Sequence, residues 1–350
     1  MDTREIVKSI ERGQNFLDEM KRDKKSKPDM SWINDFTLSD EEANMISDPK
    51  WVYPNLIIQG HLMVFPAPPN GGKTTIFNWV AGQIADDYQV FYVNADIAGA
   101  DAKSMRKDAI KKGFTLLLPD MKAGLSMNDV VLHLEAMNEV DADYSNYVFI
   151  FDTLKKMTDV INKSNSKKLY KTLRGLSAKG MTVILLAHTN KYDDKEGKPI
   201  YEGTGDLRSD VDELIYLTSD KKPDGSMTVS TVPDKVRGIF EPMTFQISPN
   251  RVVSVSEEFI DVTKVQRQQK QRDKDEITIE AITEAIKAGE CNQREIIQYL
   301  KKLNMGIGLN AIRSVLDRYS RTPTILWECS RAYKNNTLQY HLTDHCPREQ

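Results

Sequence analysis

Between residues 51 and 262, short apolar runs alternate with stretches of helical periodicity. The runs are rich in Val, Ile, Leu and Phe, and we predict strands at residues 62–65, 90–95, 147–152, 182–188, 213–218, 227–232 and 243–248. Near-continuous apolar strands separated by helices indicate an α/β fold with a mostly parallel sheet covered on both faces. The last of these runs follow one another without helices, so we expect the sheet to end in an antiparallel extension.

The C-terminal part of the chain has a different pattern. Three helical stretches, at 277–290, 292–304 and 308–320, precede two β-like runs around the turn KNN at 334–336. This order predicts a small winged helix-turn-helix domain. Its apolar positions are expected in the core, namely Ile296, Ile297, Leu300, Leu303, Leu309, Ile312, Val315 and Leu316.

Two polar segments separate these regions. Residues 1–45 are charged and predict an N-terminal arm with one short helix. Residues 263–275 contain five basic and two acidic side chains and few apolar ones, which indicates a linker or an exposed helix. The predicted organisation is therefore an arm at 1–45, an α/β domain at 46–262, a charged linker at 263–275 and the winged domain at 276–350.

Composition narrows the class of protein. With 350 residues, of which 40% are hydrophobic and 28% charged, the chain can bury a substantial core. The N-terminus has no apolar signal region and no run is long enough for a bilayer, so we expect a soluble cytoplasmic protein, with no membrane partner. Three cysteines, Cys291, Cys329 and Cys346, form no CxxC pair and predict neither disulfides nor a zinc site. A net charge of −3 means that any nucleic-acid-binding surface must be local.

A loop rich in proline and glycine, APPNGGKT at 67–74, lies between a predicted strand and a predicted helix. A phosphate cradle requires inward-pointing backbone N–H groups, a helix N-terminus, a lysine for the outer phosphates and a hydroxyl for Mg²⁺. Pro68 and Pro69 cannot donate hydrogen bonds. The donors are expected from Asn70, Gly71, Gly72, Lys73, Thr74 and Thr75. The loop therefore predicts an ATP site with Mg²⁺.

The ends of other predicted strands supply further chemistry, because ligands of open α/β sheets bind at the carboxyl edge. Asp152 ends the run YVFIFD and is expected to hold Mg²⁺ jointly with Thr74. Asp96 follows VFYVNA as a candidate to polarise the attacking water, with a simple turn aspartate as the alternative. His188 ends TVILLAH as a candidate sensor of the γ-phosphate, with a polar strand end as the alternative.

Taken together, these residues resemble the RecA-type ATPases of the hexameric replicative helicases, specifically the RepA-like plasmid and phage helicases and their DnaB-like relatives. The resemblance covers residues 50–250 and rests on the phosphate loop, YVNAD, FIFD, LLAHTNK and DKVRG. In that family the nucleotide lies between subunits and a Lys-x-Arg element reaches across onto the γ-phosphate. The resemblance thus implies that Lys235 and Arg237 act in trans on a neighbouring copy, in a ring that is expected to be a hexamer.

Two positions depart from the family pattern. Glutamate is more usual where this chain has Asp96, and the side chain shorter by one methylene withdraws the carboxylate by roughly 1.5 Å. Ala67 replaces the usual first glycine of the loop, which is a tolerated variant. Arg208 is the competing candidate for the trans cation, and we expect it to pair instead with its neighbours Asp206, Asp210 and Asp212.

Basic side chains mark two candidate DNA-binding regions. Residues 154–174 carry seven basic residues against one acidic residue, and in a RecA-type ring this segment faces the channel. The expected backbone contacts there are Lys155, Lys156, Lys163, Lys167 and Lys168, with Lys191 or Lys198 from a second loop. In the winged domain they are Arg313, Arg318 and Arg321 on or after the recognition helix, with Arg331, Lys334, Asn335 and Asn336 in the wing. A solvated helix face and a protein-interaction module are the respective alternatives.

The resemblance implies an ATP-driven DNA helicase or translocase, in replication of a phage or mobile element. A DNA-binding RecA-type ATPase, such as a recombinase or regulatory factor, that hydrolyses ATP without unwinding remains an alternative. A small-molecule kinase with the same loop is a third hypothesis, which predicts a monomer that does not respond to DNA.

Overall fold

The computed structural model describes residues 14, 29–45, 50–97, 99–157, 163–190, 199–202, 206–321, 325–331 and 337–343. The chain divides into two compact units, Met1–Lys50 and Trp51–Gln350. In the first unit the described part contains a 3₁₀ helix at Ser31–Phe36 and the helix α1 at Asp40–Met45. The short helix of the arm, which the sequence predicts at 6–20, lies outside the described residues except for residue 14. None of the helices in the described ranges is both long and apolar enough to cross a membrane.

The second unit contains the remaining strands and helices. Its strands are β1 (Trp51–Tyr53), β2 (Ile57–Ile58), β3 (Leu62–Ala67), β4 (Gln89–Asn94), β5 (Thr115–Leu117), β6 (Tyr147–Asp152), β7 (Thr182–His188), β8 (Glu213–Lys221), β9 (Met227–Lys235), β10 (Thr244–Ile247), β11 (Val253–Val255), β12 (Trp327–Arg331) and β13 (Leu338–Leu342). Its helices are α2 (Lys73–Ile84), α3 (Gly99–Lys112), α4 (Met127–Asn138), α5 (Leu154–Met157), α6 (Lys163–Ala178), α7 (Asp206–Asp210), α8 (Val262–Lys287), α9 (Gln293–Lys302) and α10 (Leu309–Arg318).

The central sheet has the strand order β11-β10-β9-β8-β3-β7-β6-β4-β5. The strands from β8 to β5 pair in parallel, and β8 through β11 pair in antiparallel fashion. The predicted α/β class and the mostly parallel sheet are therefore confirmed, including the antiparallel extension after β8. The short strands β1, β2, β5 and β11 were not predicted, because two or three residues are too few to show a period.

Both faces of the sheet are covered. Along β3, Met63 and Phe65 point into one apolar cluster, which also contains buried residues of α2. Leu62 and Val64 point into a second cluster on the other face, which contains residues of α4 and α6. Because successive side chains of a strand alternate between faces, burial on both sides explains the uninterrupted apolar runs in the sequence.

The helix α8 joins the sheet to the C-terminal elements without interruption. It begins after Asp261, whose side chain accepts a hydrogen bond from the Lys264 N–H, and it continues through the whole of 263–275. The charged segment thus forms the first half of a helix. Of the two predicted alternatives, a linker or an exposed helix, the structure has the helix. Its second half buries Ala281, Ile282 and Ala285 in a separate C-terminal cluster.

The C-terminal region contains α8, α9, α10 and the antiparallel pair β12–β13. Asn292 begins α9 with a capping box, in which its side chain accepts from the Glu295 N–H and the Glu295 carboxylate accepts from the Asn292 N–H. Five of the predicted core positions are buried, namely Ile296, Leu300, Ile312, Val315 and Leu316. Ile297 is partly buried. The prediction was wrong for Leu303 and Leu309, which are 53% and 38% exposed because they lie just after α9 and at the first position of α10.

Candidate nucleotide-binding site

The loop between β3 and α2 has the backbone shape of an anion-binding turn. Asn70 and Gly72 have φ values of 58° and 86°, and Gly72 immediately precedes the helix. The first intrahelical hydrogen bond of α2 runs from the Ile76 N–H to the Gly72 carbonyl oxygen, at 2.9 Å. The N–H groups of the first turn therefore lack helical acceptors, which is the arrangement that binds phosphate.

The two glycines of this loop have separate roles. A side chain at Gly71 would bring its Cβ within 2.9 Å of the Pro68 carbonyl oxygen. The Gly71 N–H donates to that oxygen at 3.0 Å, so it closes the turn and is already used within the loop. At Gly72 the left-handed φ is itself unfavourable for other residues. The predicted phosphate donors Asn70, Gly72, Lys73, Thr74 and Thr75 remain candidates.

Lys73 folds back onto its own loop. Its Nζ donates to the carbonyl oxygens of Ala67 and Pro68, both at 3.3 Å, and lies 3.4 Å from His188 Nδ1. Burial lowers the pKa of Lys73, while the charge of Asp152 acts in the opposite direction. An ammonium held in this desolvated position by neutral partners is poised to bind an anion.

Asp152 lies at the carboxyl end of β6 and is 6% exposed. Its Oδ2 accepts hydrogen bonds from Thr74 Oγ1 at 2.7 Å and from the Tyr92 hydroxyl at 3.0 Å. The peptide bond between Asp152 and Thr153 is cis. The predicted pair of Thr74 and Asp152 therefore lies together, and Tyr92 is a partner that the sequence analysis did not identify.

Asp96 and His188 lie on either side of this pair. The Asp96 N–H donates to Asn94 Oδ1 at 2.9 Å, and the Asp96 carboxylate, 60% exposed, is 3.8 Å from Lys156 Nζ. Burial and the neighbouring Lys73 ammonium lower the pKa of His188 below its ordinary value of 6.5. Its imidazole is therefore neutral near pH 7 and can accept a hydrogen bond from Lys73.

A single cavity of about 1490 Å³ joins all of these residues. It is lined by the predicted residues Asn70, Gly71, Gly72, Lys73, Thr74, Thr75, Asp96, Asp152 and His188. Its walls also contain residues that the sequence analysis missed, including Asn78, Trp79 and Asn94 on one side and Met227, Ile247 and Arg251 from the antiparallel extension on the other. Met227, Ile247 and Arg251 are distant from the loop in sequence, and such contacts leave no signal in local sequence patterns.

The donor set of the cavity fits Mg²⁺ and a triphosphate. Thr74 and Asp152 offer hard oxygen ligands, which Mg²⁺ prefers. Within the described ranges, no group of three or more His, Cys, Asp or Glu side chains is arranged to hold a metal. Water and phosphate oxygens would therefore have to complete the coordination shell, as is usual for Mg²⁺ bound with a nucleotide.

Lys235 lies at a distance from the phosphate loop of its own chain. In the sheet it is opposite Leu214, which in turn is opposite Val64. The loop begins after Ala67, three residues further toward the carboxyl edge, or roughly 10 Å at the usual rise of a strand. The Lys235 Nζ donates to the carbonyl oxygens of Arg208, Ser209 and Val211 at 2.8, 3.2 and 2.6 Å. A contact with phosphate would require Lys235 to give up these bonds.

Arg237 lies still further toward the amino edge. Its Nη1 is 2.8 Å from Asp212 Oδ1, and Asp212 Oδ2 accepts from the N–H of Leu62, the first residue of β3, at 3.0 Å. Asp212 is buried, whereas the Arg237 side chain is 54% exposed. Arg237 therefore presents a cation at the amino edge of the sheet, opposite the edge that contains the cavity.

The expected partners of Arg208 were wrong. Arg208 Nε donates to Asp234 Oδ2 at 2.7 Å, and Asp234 lies near the end of β9. The buried Asp212 pairs instead with Arg174 and Arg237. Sequence proximity favoured the acids beside Arg208, but the antiparallel pairing of β8 and β9 brings Asp234 closer.

The basic segment after β6 is exposed and partly paired with acids. Lys155 Nζ lies 2.9 Å from Glu202 and Lys168 Nζ lies 2.9 Å from Glu135, with side-chain exposures of 59% and 69%. Lys167 is exposed on the same helix as Lys168. Such surface pairs contribute little free energy, so these lysines can exchange carboxylate for phosphate partners at small cost. The Lys163 side chain, Lys191 and Lys198 lie outside the described residues.

In the C-terminal region, Arg313 and Arg318 are exposed on α10. Arg318 donates to Asp275 of α8 and to Ser314, and Arg321 pairs with Asp317 at 2.6 Å. Arg331 ends β12. The predicted wing residues Lys334, Asn335 and Asn336, together with the KNN turn that they form, lie outside the described residues.

Comparison with known proteins gives the following. No protein-family model matches the chain, and no curated protein matches it. Among solved structures, it is similar to the flagellar accessory protein FlaH from Methanocaldococcus jannaschii, with 17% identity and a TM-score of 0.41 over 57% of this chain and 91% of that one. It is also similar to the RadB recombinase, with 19% identity and a TM-score of 0.40 over 57% of this chain and 93% of that one. Neither likeness bears on function at this identity.

Proposed function

We propose that the chain is a Mg²⁺-dependent ATP hydrolase of the RecA type that acts on DNA. The observation that carries this proposal is the placement of Lys73 and the hydrogen-bonded pair of Thr74 and Asp152 in one cavity, at the N-terminus of α2. A buried cation, a run of backbone donors and a hydroxyl–carboxylate pair are the groups that a nucleotide triphosphate with Mg²⁺ requires.

Each side chain has a defined role in this proposal. Lys73 exchanges its loop carbonyls for the β- and γ-phosphate oxygens, and the N-terminus of α2 binds the phosphates through backbone N–H groups. Thr74 and Asp152 hold Mg²⁺, which neutralises charge on the phosphates when it is bound. Asp96 orients the attacking water and accepts its proton, while neutral His188 remains within hydrogen-bonding distance of Lys73 and senses the γ-phosphate.

The cation that completes the site comes from a second copy of the chain. Phosphoryl transfer gains about 10³–10⁵ in rate from an arginine placed on the developing charge. Arg237 is exposed at the amino edge of the sheet, whereas its own cavity lies at the carboxyl edge. It therefore suits a neighbour's cavity better than its own. Ile239, two residues further along the chain and 89% exposed, offers an apolar contact for that neighbour. A head-to-tail interface repeats into either a closed ring or an open filament. We propose the ring, a hexamer, because of the resemblance to ring helicases.

DNA is the proposed polymer partner. The lysines after β6 begin at the carboxyl edge of the sheet, where the nucleotide cavity lies, so bound DNA and hydrolysis can influence one another. Arg313 and Arg318 offer a second contact, to duplex DNA, if the C-terminal region acts as a winged helix. The resemblance to replicative helicases favours unwinding as the use of this energy, with a DNA-stimulated ATPase that does not unwind as the second candidate.

The proposal is tested by measuring ATP hydrolysis with and without Mg²⁺, single-stranded DNA and a forked duplex. We expect hydrolysis that requires Mg²⁺, rises with single-stranded DNA and is lost in Asp152→Asn. Replacing Lys167 and Lys168 by alanine should reduce the slope of log affinity against log salt by about 0.7 for each lysine that contacts single-stranded DNA.

The outcomes separate the rival functions. Strand separation of the fork identifies a helicase, and DNA-stimulated hydrolysis without separation identifies the non-unwinding ATPase. Hydrolysis that ignores DNA and proceeds at full rate in a monomer would contradict both, and would direct attention to a small-molecule kinase.

A further inference from the structure

Tyr92 is a buried polar residue that the roles above do not use. It lies in β4, is fully buried, and its ring packs 6.0 Å from that of Phe114. Its hydroxyl donates to Asp152 Oδ2 at 3.0 Å. A buried hydroxyl needs a hydrogen-bond partner, but the partner here is the carboxylate that the proposed function assigns to Mg²⁺.

The register of the sheet explains how Tyr92 reaches this carboxylate. In the parallel ladder of β4 and β6, Tyr92 is opposite Ile150 and Asn94 is opposite Asp152. Side chains two residues apart on a strand share a face, so Tyr92 and Asp152 are diagonal neighbours on one face. The long tyrosine side chain spans this diagonal separation.

The carboxylate is therefore held from two separate elements. Thr74 donates from the first turn of α2 and Tyr92 donates from the sheet, and both hydroxyls bind the same oxygen, Oδ2. Oδ1 receives no hydrogen bond from a described residue, while Asp152 lines the cavity.

We propose that Tyr92 is a positioning residue, which fixes the orientation of the Asp152 carboxylate and thereby sets the affinity of the site for Mg²⁺ with a nucleotide. The inference rests on the proposed function. Partners that hold a metal ligand from outside the coordination shell change metal affinity by about 10–100-fold when they are removed. Tyr92→Phe removes the donor and keeps the ring that packs against Phe114.

The test is a Mg²⁺ titration of nucleotide binding, followed by calorimetry with an ATP analogue that is not hydrolysed. In Tyr92→Phe we expect about tenfold more Mg²⁺ to be required for half-maximal tightening of binding, with binding in the absence of Mg²⁺ unchanged. The matched control is Tyr144→Phe, which also removes the hydroxyl of a buried tyrosine. The Tyr144 hydroxyl donates to the Met137 carbonyl oxygen at 2.9 Å, and Tyr144 does not line the cavity. This control should titrate like the wild type.

A second measurement separates positioning from a general loss of structure. In an Asp152→Asn background, the further change Tyr92→Phe should have no additional effect on Mg²⁺ dependence, because the group through which Tyr92 acts is already altered. Thermal unfolding of both tyrosine variants shows whether each retains the fold.

The inference is overturned if Tyr92→Phe, folded, titrates like the wild type, or if its effect persists unchanged in the Asp152→Asn background. Failure of the proposed function has a different signature, since the wild type itself would then show no Mg²⁺-dependent binding of the analogue.

Discussion

At the scale of single residues, Lys235 and Arg237 differ although only one residue separates them. The resemblance to ring helicases grouped them as a pair of trans cations. In the structure, three backbone carbonyl oxygens hold the Lys235 ammonium, whereas Arg237 contacts the single carboxylate of Asp212 and is half exposed. We therefore assign the trans contact to Arg237 and give Lys235 the role of fixing the strand end that carries it.

This division of roles predicts that Lys235→Ala mainly lowers stability and that Arg237→Ala mainly lowers ATP turnover. Lys235→Ala leaves three carbonyls without their donor and should lower the free energy of unfolding by about 1–3 kcal/mol, with a partial loss of ATP turnover. Arg237→Ala should lower it by less than about 1 kcal/mol, because Arg174 still pairs with Asp212, yet it should abolish turnover. Urea unfolding and steady-state hydrolysis measure both quantities. Equal stability losses, or full turnover in Arg237→Ala, would contradict the assignment.

Residue chemistry was predictable where it is local in sequence. The sequence predicted that the loop at 67–74 and Asp152 lie together, because the motif and the strand end are contiguous stretches of chain, and the structure places both in one cavity. Tyr92 and Asn94 were not identified, because their roles depend on the register between β4 and β6, which sequence spacing does not reveal. The partner of Arg208 was wrong for a related reason, since Asp234 reaches it through the pairing of β8 and β9.

At the scale of elements, the amino edge of the sheet contains a buried ionic cluster opposite the nucleotide cavity. His61 Nδ1 is 2.8 Å from Glu213 Oε1, and Glu213 is fully buried. Its Oε2 has no hydrogen-bond partner among the described residues. Burial acts to lower the pKa of His61, but the hydrogen bond and charge of Glu213, together with Asp212, outweigh it and raise the pKa above its ordinary 6.5. The charged imidazole is thus favoured by folding.

The raised pKa predicts a pH-dependent contribution to stability. The contribution of protonated His61 is fully present below the unfolded pKa of 6.5 and is lost as pH rises through the higher folded value. The hydrogen bond to the carboxylate contributes about 1.5–3 kcal/mol when the imidazole is charged. The difference in free energy of unfolding between the wild type and His61→Gln should therefore be largest in mildly acidic solution and should shrink above the folded pKa.

Urea unfolding of both proteins across pH 5 to about 9 gives this difference directly. His188, whose pKa is lowered, has the opposite dependence, but it is present in both proteins and cancels. A difference that grows with rising pH would show that the neutral imidazole is the stabilising form.

Elements of the fold were predictable in proportion to their length. Every strand of four or more residues in the central sheet was predicted from its apolar run, whereas β1, β2, β5 and β11 were missed. Segment 263–275 remained ambiguous because its partly buried face is made of polar residues, namely Thr263, Gln266, Gln271 and Asp275, so no apolar period marks the helix.

At the scale of the whole molecule, the two edges of the sheet have complementary functions in the proposed account. The carboxyl edge contains Lys73, Thr74, Asp152 and the cavity, and the amino edge presents the exposed Arg237. In the proposed account, neither edge is a complete catalytic site without the other. Contacts between copies depend on surfaces that are far apart in sequence, so local sequence patterns do not predict them. The shared site was predicted from the resemblance to ring ATPases alone.

The most direct test of this account is complementation between two inactive variants. Lys73→Met lacks the phosphate-binding lysine but can donate Arg237, and Arg237→Ala retains the nucleotide cavity but donates no cation. Each variant alone should hydrolyse ATP at background rate. Mixed in equal amounts with single-stranded DNA, they should form complete sites at about one quarter of the interfaces and recover a corresponding fraction of wild-type turnover. The shared site would be contradicted by a mixture that stays inactive although the two variants assemble and Arg237→Ala binds nucleotide, or by an Arg237→Ala variant that turns over ATP alone.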